Sequence, residues 1–466
     1  MIEYKKIIND FLYAAFAQGM GLFLGFVTSL VVPKILSLEA FGYWQLFIFY
    51  TTYVGLFHFG LNDGVYLLKG GQTRCEMNDR EVGSQFLFGT LFQTLIAILI
   101  AFLALMGKFD PNREFVIFAT AGFLIISNAN SYLGLVLQAL NETRRYSLSL
   151  IVNQVVFLVA IFVLLLNGIE DFRLYVLCYL IAKFLSLAYC LRYLKNIFSQ
   201  GLLKFHETSK LALCSIRIGI KLTIANVASM LIFGIVRFSV DAAWGIETFG
   251  QLSLAISLMN FVLTFFAQVG MVLFPALRRA DNKEIAFTIT KLRDGSYLLF
   301  SAIYVLYVPI AVLLTLWLPQ YQQAVVWFAI LLPACVFDGK MNVCYSTYFK
   351  VMRQEKKLLY INLGTVLLSA CSVAFSVVVL QSAEAAIVSG VIAVTVRSLF
   401  SEYTIFKELG AQKKVRVGDS VLGAIFIGTI LLLTDFMVIE AVCLLAYTVY
   451  LLINRKILKQ TISCKL

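Results

Sequence analysis

Charge is what this sequence has least of. Charged residues make up 14% of its 466 positions, against about 25% in soluble globular domains. That excludes an ordinary soluble protein of this length. Histidine is rarer still, with two residues, and no His/Cys spacing suits a metal ligand set. The nine cysteines include no CxxC pair, so neither a disulfide framework nor a zinc site is expected. No GxxxxGK[ST] occurs, which removes ATP binding through a P-loop. No DDxxD-type acidic cluster occurs, which removes the Mg²⁺ site of a polyprenyl-transferring enzyme. No cofactor and no metal are expected.

What is abundant is apolar. Hydrophobic residues make up 61% of the chain, and they recur in blocks of about 20, each long enough to cross a hydrocarbon core of about 30 Å. A membrane β-barrel would show shorter, alternating segments. The pattern predicts an all-α polytopic membrane protein with about fourteen spans. The first apolar block lacks a cleavage motif and reads as a retained helix, not a signal peptide.

Lys and Arg set the orientation. With the N-terminus inside, inner loops and termini hold 28 of the 38 basic residues and outer loops hold four, Lys34, Lys108, Arg113 and Arg173. Both termini are therefore expected in the cytoplasm. The formal charge of +12 is mostly topology, and nucleic-acid binding is not needed to explain it. The four tryptophans, Trp44, Trp244, Trp317 and Trp327, fall near predicted outer helix ends, as an interfacial belt requires.

The chain repeats itself once. SLEAFGYWQLFIF (37–49) resembles GIETFGQLSLAIS (245–257), and VGSQFLFGTLFQTLIAIL (82–99) resembles DGSYLLFSAIYVLYVPI (294–310). NETRRYSLSLIVN (141–153) matches the pattern of RQEKKLLYINLGT (353–365). Two six-helix lobes in parallel orientation follow, a plan that suits a transporter with its site between lobes. The expected division is 1–195 for the N-lobe, 196–212 for a cytoplasmic link, 213–410 for the C-lobe, and 411–466 for two extra helices and a tail.

Polar residues on matched helices point to a cavity. Steps of three and four share a helix face. Helix 1 carries Gln18, Gly21, Gly25 and Thr28 at such steps; helix 2 carries Thr51, Gly55, His58 and Asn62. Helix 7 carries Asn226 and Arg237, and helix 8 carries Ser253, Ser257, Asn260, Thr264 and Gln268. Polar groups facing lipid are costly, so four such stripes turn inward. Small and polar residues also glue helices together, which is the alternative for any one of them. Lys221, Lys183 and Lys340 lie inside spans as further cavity cations. Arg217 is close enough to the inner end to snorkel, and Arg237 can pair with Asp241 four residues on. The helix-2 aromatics Tyr43, Trp44, Phe47, Tyr50, Tyr53 and Phe57 suit sugar stacking or a belt.

The segment FGYWQLFIFYTTYVGLFHFGLNDGVYLLKGG (41–71) resembles the helix-2 signature of Wzx-type polysaccharide flippases, of the multidrug/oligosaccharidyl-lipid/polysaccharide exporter superfamily. The resemblance covers nearly the whole chain, through the six-plus-six repeat and the basic inner loops. It implies a cationic cavity lined by helices 1, 2, 7 and 8. It also implies an undecaprenyl-diphosphate-linked oligosaccharide substrate, of O-antigen or capsular type, in a bacterial inner membrane. A polysaccharide polymerase and a chain-length protein are the partners such a role implies. Asp63 and His58 are the expected gate and ion-coupling residues, for H⁺ or Na⁺, with Asp63 meeting a basic partner. A drug exporter of the same superfamily is one rival, though its cation site would favour deep acids, and Asp338 is the main one here. A membrane polymerase or ligase is the other, though outer loops of about 5–13 residues leave no room for its usual large loop.

Overall fold

The computed structural model describes residues 2–199, 201–279, 282–409, 418–433 and 435–455, with the side chains of 2–9, 11, 267–284 and 355 excepted. Among the described residues there are helices and no strands. The helices are α1 (Ile2–Phe26, continued through a π turn to Ile35), α2 (Leu38–Tyr53, resuming as Leu61–Lys69), α3 (Asp79–Met106), α4 (Pro111–Ala139), α5 (Thr143–Leu166) and α6 (Phe172–Tyr193). One continuous element, Phe205–Arg279, is divided by Gly245, whose φ is 81°, into α7 and α8. Then follow α9 (Asn282–Ser301 and Ile303–Trp317), α10 (Gln322–Lys340, a π turn, Ser346–Val351), α11 (Glu355–Phe375, continued to Leu380), α12 (Ala383–Glu408), α13 (Gly418–Leu432) and α14 (Phe436–Ile453).

Eleven helices among the described residues are long and apolar enough to span a membrane. Three features separate that number from fourteen: α7 and α8 count as one, α2 is broken, and α13 is short. Side-chain caps start many of these helices. Ser37, Asn78, Asp110, Asp171, Ser382 and Asp435 each accept a backbone N–H of the first turn, which satisfies a donor that has no partner within the helix.

By internal contacts the chain divides into Met1–Val227 and Ala228–Leu466. The boundary lies inside α7, not at the 196–212 link. The reason is local. The first half of α7 packs on the second half of α2 so closely that a Cβ on Gly60, Gly64 or Gly219 would overlap backbone across the crossing.

In unit 1, α4 is the central helix, packed by α3, α6 and both halves of α2. Trp44 is 1% exposed, stacked on Phe157 and edge-on to Tyr179. In unit 2, α10 is central and Trp327 is fully buried. Two of the four tryptophans thus belong to helix cores, not to a belt. Trp44 and Phe47 are likewise closed to any sugar.

Candidate functional site

The polar residues of α2 mark a break in it. After Tyr53 the chain makes a 3₁₀ turn, Val54–His58, then two left-handed residues, Phe59 (φ 48°) and Gly60 (φ 88°). Such a break inside a membrane frees backbone groups that need partners. Asn128 of α4 donates its amide to the Val54 carbonyl (2.9 Å), and Asn62 donates to the Asn128 carbonyl (3.0 Å). The Gly60 N–H donates to His58 Nδ1 (3.0 Å). His58 and Asn62 are buried. They hold the break together, and Asn62 points into unit 1. The expected stripe Thr51–Gly55–His58–Asn62 assumed an unbroken α-helix; the turn rotates its two ends apart. Thr51 bonds back to the Ile48 carbonyl (2.7 Å).

Asp63 accepts a hydrogen bond from the Thr223 hydroxyl of α7 (2.6 Å). Among the described residues it makes no ion pair, so its partner is a hydroxyl and not the expected base. On α7, Ser215, Gly219 and Thr223 face α2. Arg217 and Lys221 lie on the opposite face, exposed, with no carboxylate partner among the described residues. Asn226 and Gln18 are also exposed. Lys183 is half-buried on α6, again without an ion pair or hydrogen bond among the described residues.

Unit 2 treats its cations differently. Lys340 is buried and paired with Asp419 at the start of α13, and its ammonium lies 3.7 Å from the Tyr297 ring centre. Tyr450 of α14 donates to the same Asp419. Arg397 pairs with Asp338 and donates to Ser229 (3.0 Å). Arg293, 1% exposed, joins Asp294 (2.8 Å) and Glu402 (3.3 Å), and Tyr297 and Tyr345 donate to Glu402. Lys340, proposed above as a cavity cation, is therefore held inside unit 2. Arg237 donates through Nε to Ser253 (3.1 Å) and lies over the Phe249 ring. Ser257 and Thr264 bond back to their own helix, at Ser253 and Asn260, and Asn260 is exposed. The Gln268 side chain lies outside the described residues.

The Lys340–Asp419 and Arg293–Glu402 pairs were not anticipated. The only signal in the sequence was charge inside apolar blocks; the partners stand 79 and 109 positions apart.

A model of the family described as "Polysaccharide biosynthesis protein" matches residues 7–281. No curated protein matches the sequence. Among solved structures, a lipid II flippase, MurJ, in an inward closed conformation is similar at a TM-score of 0.68 and 12% identity, over 97% of this chain and 100% of that one. An inward-facing multidrug resistance MATE family transporter of the MOP superfamily is similar at 0.65 and 13% identity, over 84% and 94%. An outward-facing MATE family transporter gives 0.52 and 11%, over 86% and 95%. At these identities the likeness is one of fold.

Proposed function

Because this chain belongs to the polysaccharide biosynthesis protein family, we propose that it is a flippase for undecaprenyl-diphosphate-linked oligosaccharide repeat units. The units are of O-antigen or capsular type, and the membrane is the bacterial inner membrane. One observation carries the reading beyond the family. Among the described residues, the exposed spanning-segment cations Arg217 and Lys221 lack carboxylates, whereas Arg293, Lys340 and Arg397 have them. Unmatched positive charge in a spanning segment is costly unless a ligand completes it. A diphosphate head does so through charge-assisted hydrogen bonds. For the glycan, unit 1 offers the exposed amides of Gln18 and Asn226 and unit 2 offers Asn260 and Thr264, and the lipid tail stays in the bilayer. Arg237 is the substrate cation proposed for unit 2.

A multidrug exporter of organic cations would favour acids at such positions, so the cations support an anionic, lipid-linked substrate over that reading. The test is transport of a defined lipid-linked oligosaccharide in proteoliposomes. Wild type should move it. Lys221→Ala and Arg237→Ala should reduce the rate by roughly tenfold at unchanged protein level, a loss of the size expected for one charge-assisted bond. Full activity in both variants would overturn the cationic reading.

A further inference from the structure

Lys183 stands opposite a buried acceptor, on Asn153, that also lacks a partner. α5 and α6 run antiparallel, and two contacts fix their register. Toward the inner end, Ser186 donates to the Ser149 carbonyl (2.7 Å). Toward the outer end, Phe157 packs edge-on against Tyr179 with ring centres 4.9 Å apart. Between them the same register sets Lys183 against Asn153. Val176, Tyr179, Lys183, Ser186 and Cys190 follow one another at steps of three and four. Val176, Ser186 and Cys190 on that stripe are fully buried, so Lys183 points into unit 1 and not to lipid. It is eleven residues from the start of α6 and ten from its end. That is about 15–17 Å from either, near the middle of a hydrocarbon core.

The polar atoms around it are unmatched. Asn153 Oδ1 and Gln154 Oε1 are buried and accept no hydrogen bond. The Gln154 amide lies across α1, so that a Cβ on Gly21 would come within 3.0 Å of it. The Lys183 ammonium has three N–H donors and no bonded acceptor among the described residues. A mid-membrane amine without a carboxylate has no neighbour that fixes its charge. The titratable groups on its own stripe are Tyr179, one turn outward, and Cys190, two turns inward. Those brought by α5 are Tyr146, Arg144 and Arg145 near its inner start, and those brought by α4 are Arg113, Glu114 and Tyr132. The first half of α2 brings Glu39, Tyr43, Tyr50 and Tyr53. The carboxylates among them, Glu39 and Glu114, stand at outer helix starts.

We propose that Lys183 and Asn153, with Gln154 next along α5, form a proton-exchange site between α5 and α6 of unit 1. The amine lone pair takes a proton from hydronium, leaving water. Protonation adds one N–H to the two the amine already holds, and the resulting positive charge strengthens the donation to Asn153 Oδ1. Release returns the proton to water and leaves a neutral amine with two N–H donors and a weaker hold on the amide. The site stands on unit 1 alone and on no assumption about the glycan.

Lysine can lose its charge, and arginine in a protein does not. That difference supplies one test. Lys183→Arg keeps the cation permanently, and Lys183→Met removes it. In a strain whose surface polysaccharide depends on this protein, both variants should lower export by about tenfold or more at unchanged protein level. Near-normal export with Arg would make Lys183 a fixed charge, and near-normal export with Met would make it packing; either overturns the proposal. The second measurement needs no substrate. In full-length protein carrying ¹⁵N-lysine in nanodiscs, the Nζ resonance absent from Lys183→Met should titrate apart from those of solvated lysines. Titration together with them, or none at any pH, would likewise overturn it.

Discussion

At the level of single residues, the spanning-segment cations fall into two groups with opposite expected phenotypes. Lys340 is buried against Asp419 and Tyr297. Removing one partner of a buried pair leaves the other charged and unsolvated, at a cost of about 3–5 kcal/mol. Lys340→Met should therefore reduce the amount and thermal stability of folded protein. The double variant Lys340→Met, Asp419→Leu should recover much of the loss, because it removes both charges. Lys221 has no such partner among the described residues, so Lys221→Ala should leave stability within about 0.5 kcal/mol, as surface substitutions commonly do. Thermal melting of the four proteins in detergent separates the two groups. Equal loss from Lys340→Met and Lys221→Ala would contradict the distinction. The sequence showed that Lys340 and Asp338 were charges in apolar blocks. It could not show which partner each meets, because pairing depends on helix packing and not on spacing.

At the level of elements, α2 teaches the same lesson from the other side. Its apolar block was legible as a span, and its polar residues were legible as exceptional. The break was not, because Phe59 gives no hint of a left-handed conformation that non-glycine residues uncommonly adopt. Once the helix is broken, Asn62 serves Asn128 and the backbone of α4. The glycines of this segment also divide. A Cβ on Gly64 would overlap the Ser215 carbonyl, whereas one on Gly55 meets nothing within 4 Å. Gly64→Ala should thus force the α2–α7 crossing apart and destabilise by about 1–3 kcal/mol, the usual cost of overpacking. Gly55→Ala should melt close to wild type. Equal melting temperatures for the two variants would show that the crossing gives way freely.

At the level of the whole molecule, hydropathy conveyed the helix count because a bilayer demands one continuous apolar stretch per crossing. Orientation rests on loop charge alone and yields a direct prediction. In a cysteine-free background, an impermeant thiol reagent added to intact cells should label Lys108→Cys and spare Lys204→Cys. Labelling at 204 but not at 108 would invert the topology. The C-terminal hairpin, α13 and α14, was legible only as two additional spans. Its attachment gives it a place in time as well as in space. Lys340 enters the membrane with α10, yet Asp419 is made 79 residues later, and Tyr450, the second partner of that carboxylate, belongs to α14. During synthesis the lysine must wait in the bilayer, or be held by the insertion machinery, until α13 emerges. Unit 2 therefore completes this pair only after α13 is made, and a chain interrupted before α13 presents an unpaired intramembrane charge to the cell's quality control.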